Sequence, residues 1–127
     1  MPNAPVPPAD SDTIHRIGGG SVENLRLKPK ETVLNPPGIS VLKAATPGEA
    51  AAEIRAGYPD ATGLHAAAST VGTSTAGAIR SAGFDMIPTP GKRLPNHHRI
   101  VHPDGASGFS DENLSRLSET FENSTGH

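Results

Sequence analysis

Residues 36–57 read Pro36-Pro37-Gly38-Ile39-Ser40-Val41-Leu42-Lys43-Ala44-Ala45-Thr46-Pro47-Gly48-Glu49-Ala50-Ala51-Ala52-Glu53-Ile54-Arg55-Ala56-Gly57. Pro36-Pro37-Gly38 is a turn, and the β-branched and apolar run Ile39-Ser40-Val41-Leu42 after it predicts a short strand. Thr46-Pro47-Gly48-Glu49 is a helix start. Thr46 can cap, Pro47 suits the first helical position, and Glu49 can reach back to close a capping box. The helix it opens runs through Ile54 and Arg55 and stops near Gly57 and Pro59. A strand followed directly by a capped helix excludes both an all-α and an all-β chain.

Downstream, Leu64 to Ala68 is Ala-rich and leads to Val71-Gly72. Thr73 or Ser74 can cap a helix over Thr75 to Ala82, and Gly83 stands where a left-handed helix-ending residue belongs. Phe84, Met86 and Ile87 predict a strand ended by Pro88. Thr89 to Pro95 is a basic loop carrying Lys92 and Arg93. His97 to His102 reads as a strand, and Pro103-Asp104-Gly105 as a turn. Ser110 caps a last helix, with Asp111 and Glu112 favourable to its dipole. Leu114, Leu117 and Phe121 form its buried stripe.

Upstream, Leu25 and Leu27 alternate with Arg26 and Lys28, the period-two pattern of a half-buried first strand. Met1 to Gly20 is Pro-rich and ends in Gly18-Gly19-Gly20, a composition that predicts a disordered leader. The elements fall in the order β–β–α–α–β–β–α without regular βαβ alternation. The expected fold is α+β, a small mixed antiparallel sheet with three helices. The expected divisions are a leader over residues 1–23, one domain over 24–122 and a frayed tail over 123–127.

Composition narrows the function. The chain has 127 residues, 14 Gly and 13 Pro, 34% hydrophobic residues and a formal net charge of −2. With no Cys there is no disulfide scaffold, thiol nucleophile or cysteine zinc site. No apolar run approaches the roughly 18 to 20 residues of a membrane span, so no membrane partner is expected. No N-terminal segment carries a charged start and an apolar stretch. A cytoplasmic protein, or one secreted into a target cell without a signal peptide, fits that pattern. A pI near 6.3 does not suit a general nucleic-acid binder, which needs a basic face.

The densest cluster of chemistry-bearing residues is Asn96-His97-His98-Arg99-Ile100-Val101-His102-Pro103-Asp104-Gly105. On a strand, His98 and His102 share one face and His97 takes the other. A metal there would need a further ligand such as Asp104 or His65, and no metal is assigned. The order His97-His98, Pro103, Gly108, Asn113-Leu114 also mimics a His-Asn metal-dependent nuclease, in which a His activates water beside a metal-held phosphate. The late His of that pattern is missing, with Phe121 near its place. A third arrangement uses separated residues. Arg26, Ser40 and His97 meet if their strands share a sheet. Arg offers a fork for phosphate, Ser a hydroxyl for a ribose or amide, and His a ribose contact. Lys92 and Arg93 add positive charge for a pyrophosphate. A small NAD-binding cleft needs these groups.

The order of these pieces resembles type VI secretion effector toxins with an ADP-ribosyltransferase-like fold. Those toxins carry an early strand Arg, a Gly-x-Ser-Val-apolar strand and an Ile-Pro strand with a loop ending in Leu-Pro or Ile-Pro. A His-aromatic-x-Ile-x-Pro strand and a C-terminal amphipathic helix follow. The matching residues are Arg26, Gly38-Ile39-Ser40-Val41-Leu42, Ile87-Pro88, Leu94-Pro95, His97-His98-Arg99-Ile100 with Pro103, and the helix of Leu114, Leu117 and Phe121. His98 stands where the family has an aromatic, one extra residue precedes the Pro, and Thr46 to Gly83 has no counterpart. The resemblance implies a toxin or effector that acts on NAD or on an intracellular target. Arg26, Ser40 and His97 would be its catalytic residues, and Arg26, Ser40, Lys92, Arg93 and His98 its cofactor contacts. It also implies a cognate immunity or antitoxin protein as partner and, for delivery, a larger carrier. No Glu stands near the last strand to polarise a ribose 2′-hydroxyl. A non-enzymatic interaction module or accessory subunit, docking through the leader or the last helix, is the competing class.

Overall fold

A computed structural model describes residues 6–125. In chain order its elements are β1 (Thr13–Ile17), α1 (Val22–Leu25), α2 (Pro29–Thr32), β2 (Ile39–Lys43), α3 (Pro47–Gly57), α4 (Thr62–Ala67), β3 (Thr70–Thr75), α5 (Ala76–Ser81), β4 (Asp85–Pro88) and β5 (His97–Val101). A 3₁₀ turn (Gly105–Gly108), α6 (Asp111–Ser118) and β6 (Glu122–Thr125) complete it. The architecture is α+β. One six-stranded sheet runs in the order β4-β5-β2-β1-β3-β6, and all five ladders are antiparallel.

Side-chain alternation gives the sheet two covered faces. On one, Ile14, Ile39, Val41, Met86 and Ile100 pack against Leu25 of α1, Ile79 of α5, and Leu114 and Leu117 of α6. On the other, Leu42 and Val71 pack against Ala50, Ala51 and Ile54 of α3 and against Ala68. The small Ala side chains let α3 lie close to the strands. Each fully buried Ile or Leu contributes about 1.5–3 kcal/mol, so most of the hydrophobic stabilisation sits on the α6 face.

The helix boundaries follow side-chain chemistry. Thr46 Oγ1 accepts from the Glu49 amide at 3.1 Å and Glu49 Oε2 accepts from the Ala45 amide, so α3 starts as expected. Thr75 caps α5 by accepting from the Ala78 amide, one residue beyond the caps expected. Ser110 caps α6. Gly83 has φ +97°, a conformation open to glycine at no steric cost.

Four expectations are corrected. The leader is not a disordered segment over its described part: Thr13–Ile17 forms β1, inside the sheet between β2 and β3; residues 1–5 lie outside the described residues. Gly18 and Gly19 (φ +92° and +101°) make the turn out of that strand. Leu25 to Lys28 is not a strand, because Leu25 ends α1 and Arg26 follows as its cap. The tail is not frayed over its described part, since Glu122 to Thr125 pair with β3 as edge strand β6; residues 126–127 lie outside the described residues. Among the described residues six helices replace the three expected, because α1, α2 and α4 are short segments of four to six residues without a long amphipathic repeat.

Candidate functional site

β1 and β2 pair only at Ile14↔Lys43 and His15↔Leu42. Past His15, the Arg16 side chain bridges the two strands. Its Nη1 donates to the Ser40 carbonyl at 2.8 Å, and its Nε and Nη2 donate to the Asn24 carbonyl at 3.1 and 2.7 Å. Asn24 in turn donates to the Ile17 carbonyl at 3.0 Å. Arg16 is buried at 6% exposure. Burial pushes its pKa down, and the nearby Glu31 carboxylate works in the opposite direction. The result is a cationic tie that fixes the α1–α2 segment against the sheet.

Beside that tie, on the α3 face, lies a cleft of about 390 Å³. Ser40, Leu42 and His97 line it from the sheet, Ile54 and Tyr58 from α3 and its end, Leu64 and Ala67 from α4, and Leu94 from the β4–β5 loop. Arg16, Asn24, Lys28, Lys30 and Glu31 border it on the α1–α2 side. β2 and β5 are neighbours with Leu42 opposite His97 and Ser40 opposite Arg99. Ser40 and His97 therefore share one sheet face as diagonal neighbours, about 7–8 Å apart. A second hollow of about 350 Å³, lined by Thr89, Gly91, Lys92, Arg93, Tyr58, Leu94 and His97, adjoins the cleft.

His97 is half-buried, and its Nδ1 lies 2.6 Å from Thr89 Oγ1 and 3.2 Å from the Thr89 carbonyl. A carbonyl can only accept, which favours the proton on Nδ1 and leaves Nε2 as an acceptor. Burial lowers the His97 pKa below the usual imidazole range; the Thr89 carbonyl opposes this, and the Arg99 and His98 charges reinforce it. Burial and those charges favour the neutral ring, with Nε2 open.

Of the cations, Arg16 and Arg99 donate to main-chain carbonyls. Arg26, Lys43, Arg80 and Arg116 pair with carboxylates. Among the described residues, Lys28, Lys30, Lys92 and Arg93 have no carboxylate partner, and all four border the cleft or the hollow. Arg93 donates to the Gly57 carbonyl at 3.0 Å and lies over the Tyr58 ring at 5.1 Å. Glu31, at 7% exposure, is the acidic residue of the cleft. Its Oε1 accepts from the Lys28 amide.

The residues singled out from sequence are thus partly assembled. Ser40 and His97 meet in the cleft, with Lys92 and Arg93 beside them. Arg26 does not join them: it lies outside the cleft, paired with Asp111 on α6 and with Glu23. His98 is also corrected. It stands opposite Val41, on the far side of the sheet, buried at 7% exposure with Nδ1 against the Asn96 carbonyl at 2.9 Å. The nuclease constellation does not form either. His97 and His98 face opposite ways, and Asn113 donates to the Gly108 carbonyl beside the start of α6. Among the described residues no group of three His, Asp or Glu is placed to hold a metal ion. His65 is turned to the Tyr58 carbonyl, and Asp104 to His102. No described helix is long and apolar enough to cross a membrane.

Sequence reasoning missed Arg16, Glu31 and Tyr58. Arg16 was hidden because its strand sits in a Pro- and Gly-rich segment. The available signal was the run Thr13-Ile14-His15-Arg16-Ile17, β-branched at three of five positions. No protein-family model matches the chain, no curated protein matches it, and no solved structure matches it.

Proposed function

We propose that this chain is a toxin or effector domain of the ADP-ribosyltransferase-like type, binding NAD in the cleft and acting on it or on an intracellular target. The supporting observation is that Ser40, His97, the buried Arg16, Lys28 and Lys30 border one partly apolar cleft, with Lys92 and Arg93 lining the hollow that adjoins it. The apolar side chains of Leu42, Ile54 and Leu64 suit a planar ring. A neutral His97 with an open acceptor suits a ribose hydroxyl, and the cations suit a diphosphate. Arg16 does not supply the phosphate fork expected of Arg26, because at least three of its five N–H groups are already engaged; it positions the cleft wall. Cleaving the nicotinamide–ribose bond develops positive charge on the ribose, which a carboxylate stabilises, and Glu31 is the carboxylate at hand. On this reading a cognate immunity protein neutralises the domain and a larger carrier delivers it.

The test is induced expression of the chain and of its Ser40→Ala and His97→Ala variants, with viability and cellular NAD followed together. The expected result is growth arrest with altered NAD, relieved in both variants. Normal growth, unchanged NAD and no calorimetric binding of NAD would refute the reading. Co-purification of a harmless chain with a host protein would then favour the interaction module.

A further inference from the structure

The hollow beside the cleft has chemistry of its own. α3 ends at Gly57 and Tyr58, and the β4–β5 loop crosses that end so closely that a Cβ on Gly57 would sit 2.4 Å from the Arg93 carbonyl. Only glycine lets the loop reach this far in. The approach places Lys92 and Arg93 beside the half-buried ring of Tyr58. No Asp or Glu lines the hollow. The ring is also singular. The chain has one Tyr, three Phe and no Trp, and Phe84, Phe109 and Phe121 all belong to the opposite face of the sheet. The sole aromatic surface on this side is therefore bordered by two cations without carboxylate partners.

We infer that this hollow is a nucleobase–phosphate subsite, in which the Tyr58 ring stacks a purine while Lys92 and Arg93 hold the adjoining phosphates. The inference rests on the nucleotide reading of the cleft and adds the ligand's direction: the purine end lies under the β4–β5 loop, and the far end reaches Ser40 and His97. Arg93 covers the ring. Its guanidinium lies over the ring, held there by a cation–π contact and one hydrogen bond to Gly57. Arg93 is exposed, and such contacts are weak in water. A purine displaces the guanidinium, and its fork turns to the phosphate, a stronger bidentate partner.

With one Tyr and no Trp, the intrinsic emission of the folded protein reports on Tyr58 alone. The experiment titrates the full chain with ADP and with ribose 5-phosphate, following tyrosine emission corrected against free N-acetyltyrosinamide. Calorimetry on ADP and on nicotinamide mononucleotide runs alongside. ADP should change the emission saturably and ribose 5-phosphate should not. Tyr58→Leu, read by calorimetry, should weaken ADP by roughly tenfold, the loss of one stacked base. Lys92→Glu should weaken ADP and flatten its salt dependence, with unchanged far-UV circular dichroism. No saturable response to ADP, an equal response to ribose 5-phosphate, or full ADP affinity in both variants would overturn the subsite. Nicotinamide mononucleotide separates the two readings. If it binds and ADP does not, the subsite fails and the NAD reading survives. If ADP binds and it does not, the subsite stands and the NAD reading fails.

Discussion

Replacing Arg16 by Met keeps the length and apolar stem of the side chain and removes its donors. Two carbonyls, of Asn24 and Ser40, then lose the hydrogen bonds they receive from the guanidinium. An acceptor left unpaired inside a protein costs about 1–3 kcal/mol. Asn24 is half-buried and Ser40 is exposed, so water reaches both in part and the lower half of that range applies. The variant also escapes the cost of burying a guanidinium, which offsets part of the loss. The net expectation is a destabilisation of about 2 kcal/mol, roughly an 8 °C fall in Tm for a chain of this size. Urea denaturation followed by circular dichroism measures it. Hydrogen exchange adds a local signature: the amides of α1 and α2 should lose protection before those of β5, since Arg16 ties that segment to the sheet. Arg16→Lys should recover less than half the loss, because one ammonium cannot span both carbonyls as the fork does. A Met variant within about 0.5 kcal/mol of the parent, or a Lys variant equal to it, would refute the tie.

Three further outcomes are expected. Ile100→Ala, at a fully buried position in the α6-side core, should cost about 2–5 kcal/mol in urea unfolding; a cost below 1 would mean that this face is loosely packed. Ser110→Ala removes the cap of α6 and should cost about 1 kcal/mol, whereas Ser110→Asp should retain most of it. Stability should also fall on acidification. His15 and His97 both have pKa values lowered chiefly by burial, so below the ordinary value of 6.5 the unfolded chain takes up protons that the folded chain refuses. Denaturation midpoints at pH 7.5 and 5.5 should show the loss, and His15→Asn should reduce the slope; a midpoint that does not move would contradict it.

The parts of this fold legible in the sequence are those where one residue has one local job. Thr46 with Pro47, Gly83 and Ser110 each announce a helix end through a hydrogen bond or a backbone angle that needs no distant partner. β2, β4 and β5 carry β-branched or apolar runs set off by Pro and Gly, and they fall where expected. β1 escaped because its alternation is broken by buried polar residues. His15 is fully buried, with Nδ1 at Thr73 Oγ1 and Nε2 at the Ala44 carbonyl, and Arg16 is satisfied by the Asn24 and Ser40 carbonyls. A hydropathy pattern cannot show that such groups find partners. β6 escaped because its residues are all exposed, and what holds it is main-chain pairing and an Asn123 side chain that accepts from the distant Gly20 amide. Leu25 and Leu27 misled because two apolar residues spaced by two also fit a helix end followed by a turn. Of the site, Ser40 and His97 were readable as polar residues on apolar strands. Arg16, Glu31 and Tyr58 were not, since each acquires its place only through the packing of segments remote in sequence.

The position of β1 has a consequence for how the molecule comes apart. Among the described residues, its five residues are the one strand that pairs β4-β5-β2 on one side with β3-β6 on the other. Drawing out that single stave would undo two ladders at once, taking with it the imidazole pegged to Thr73 and the guanidinium clasping Ser40, and leave packing under α3 to hold the halves together. The chain is therefore a natural candidate for division into a short peptide and a large fragment that regain their shape only when mixed.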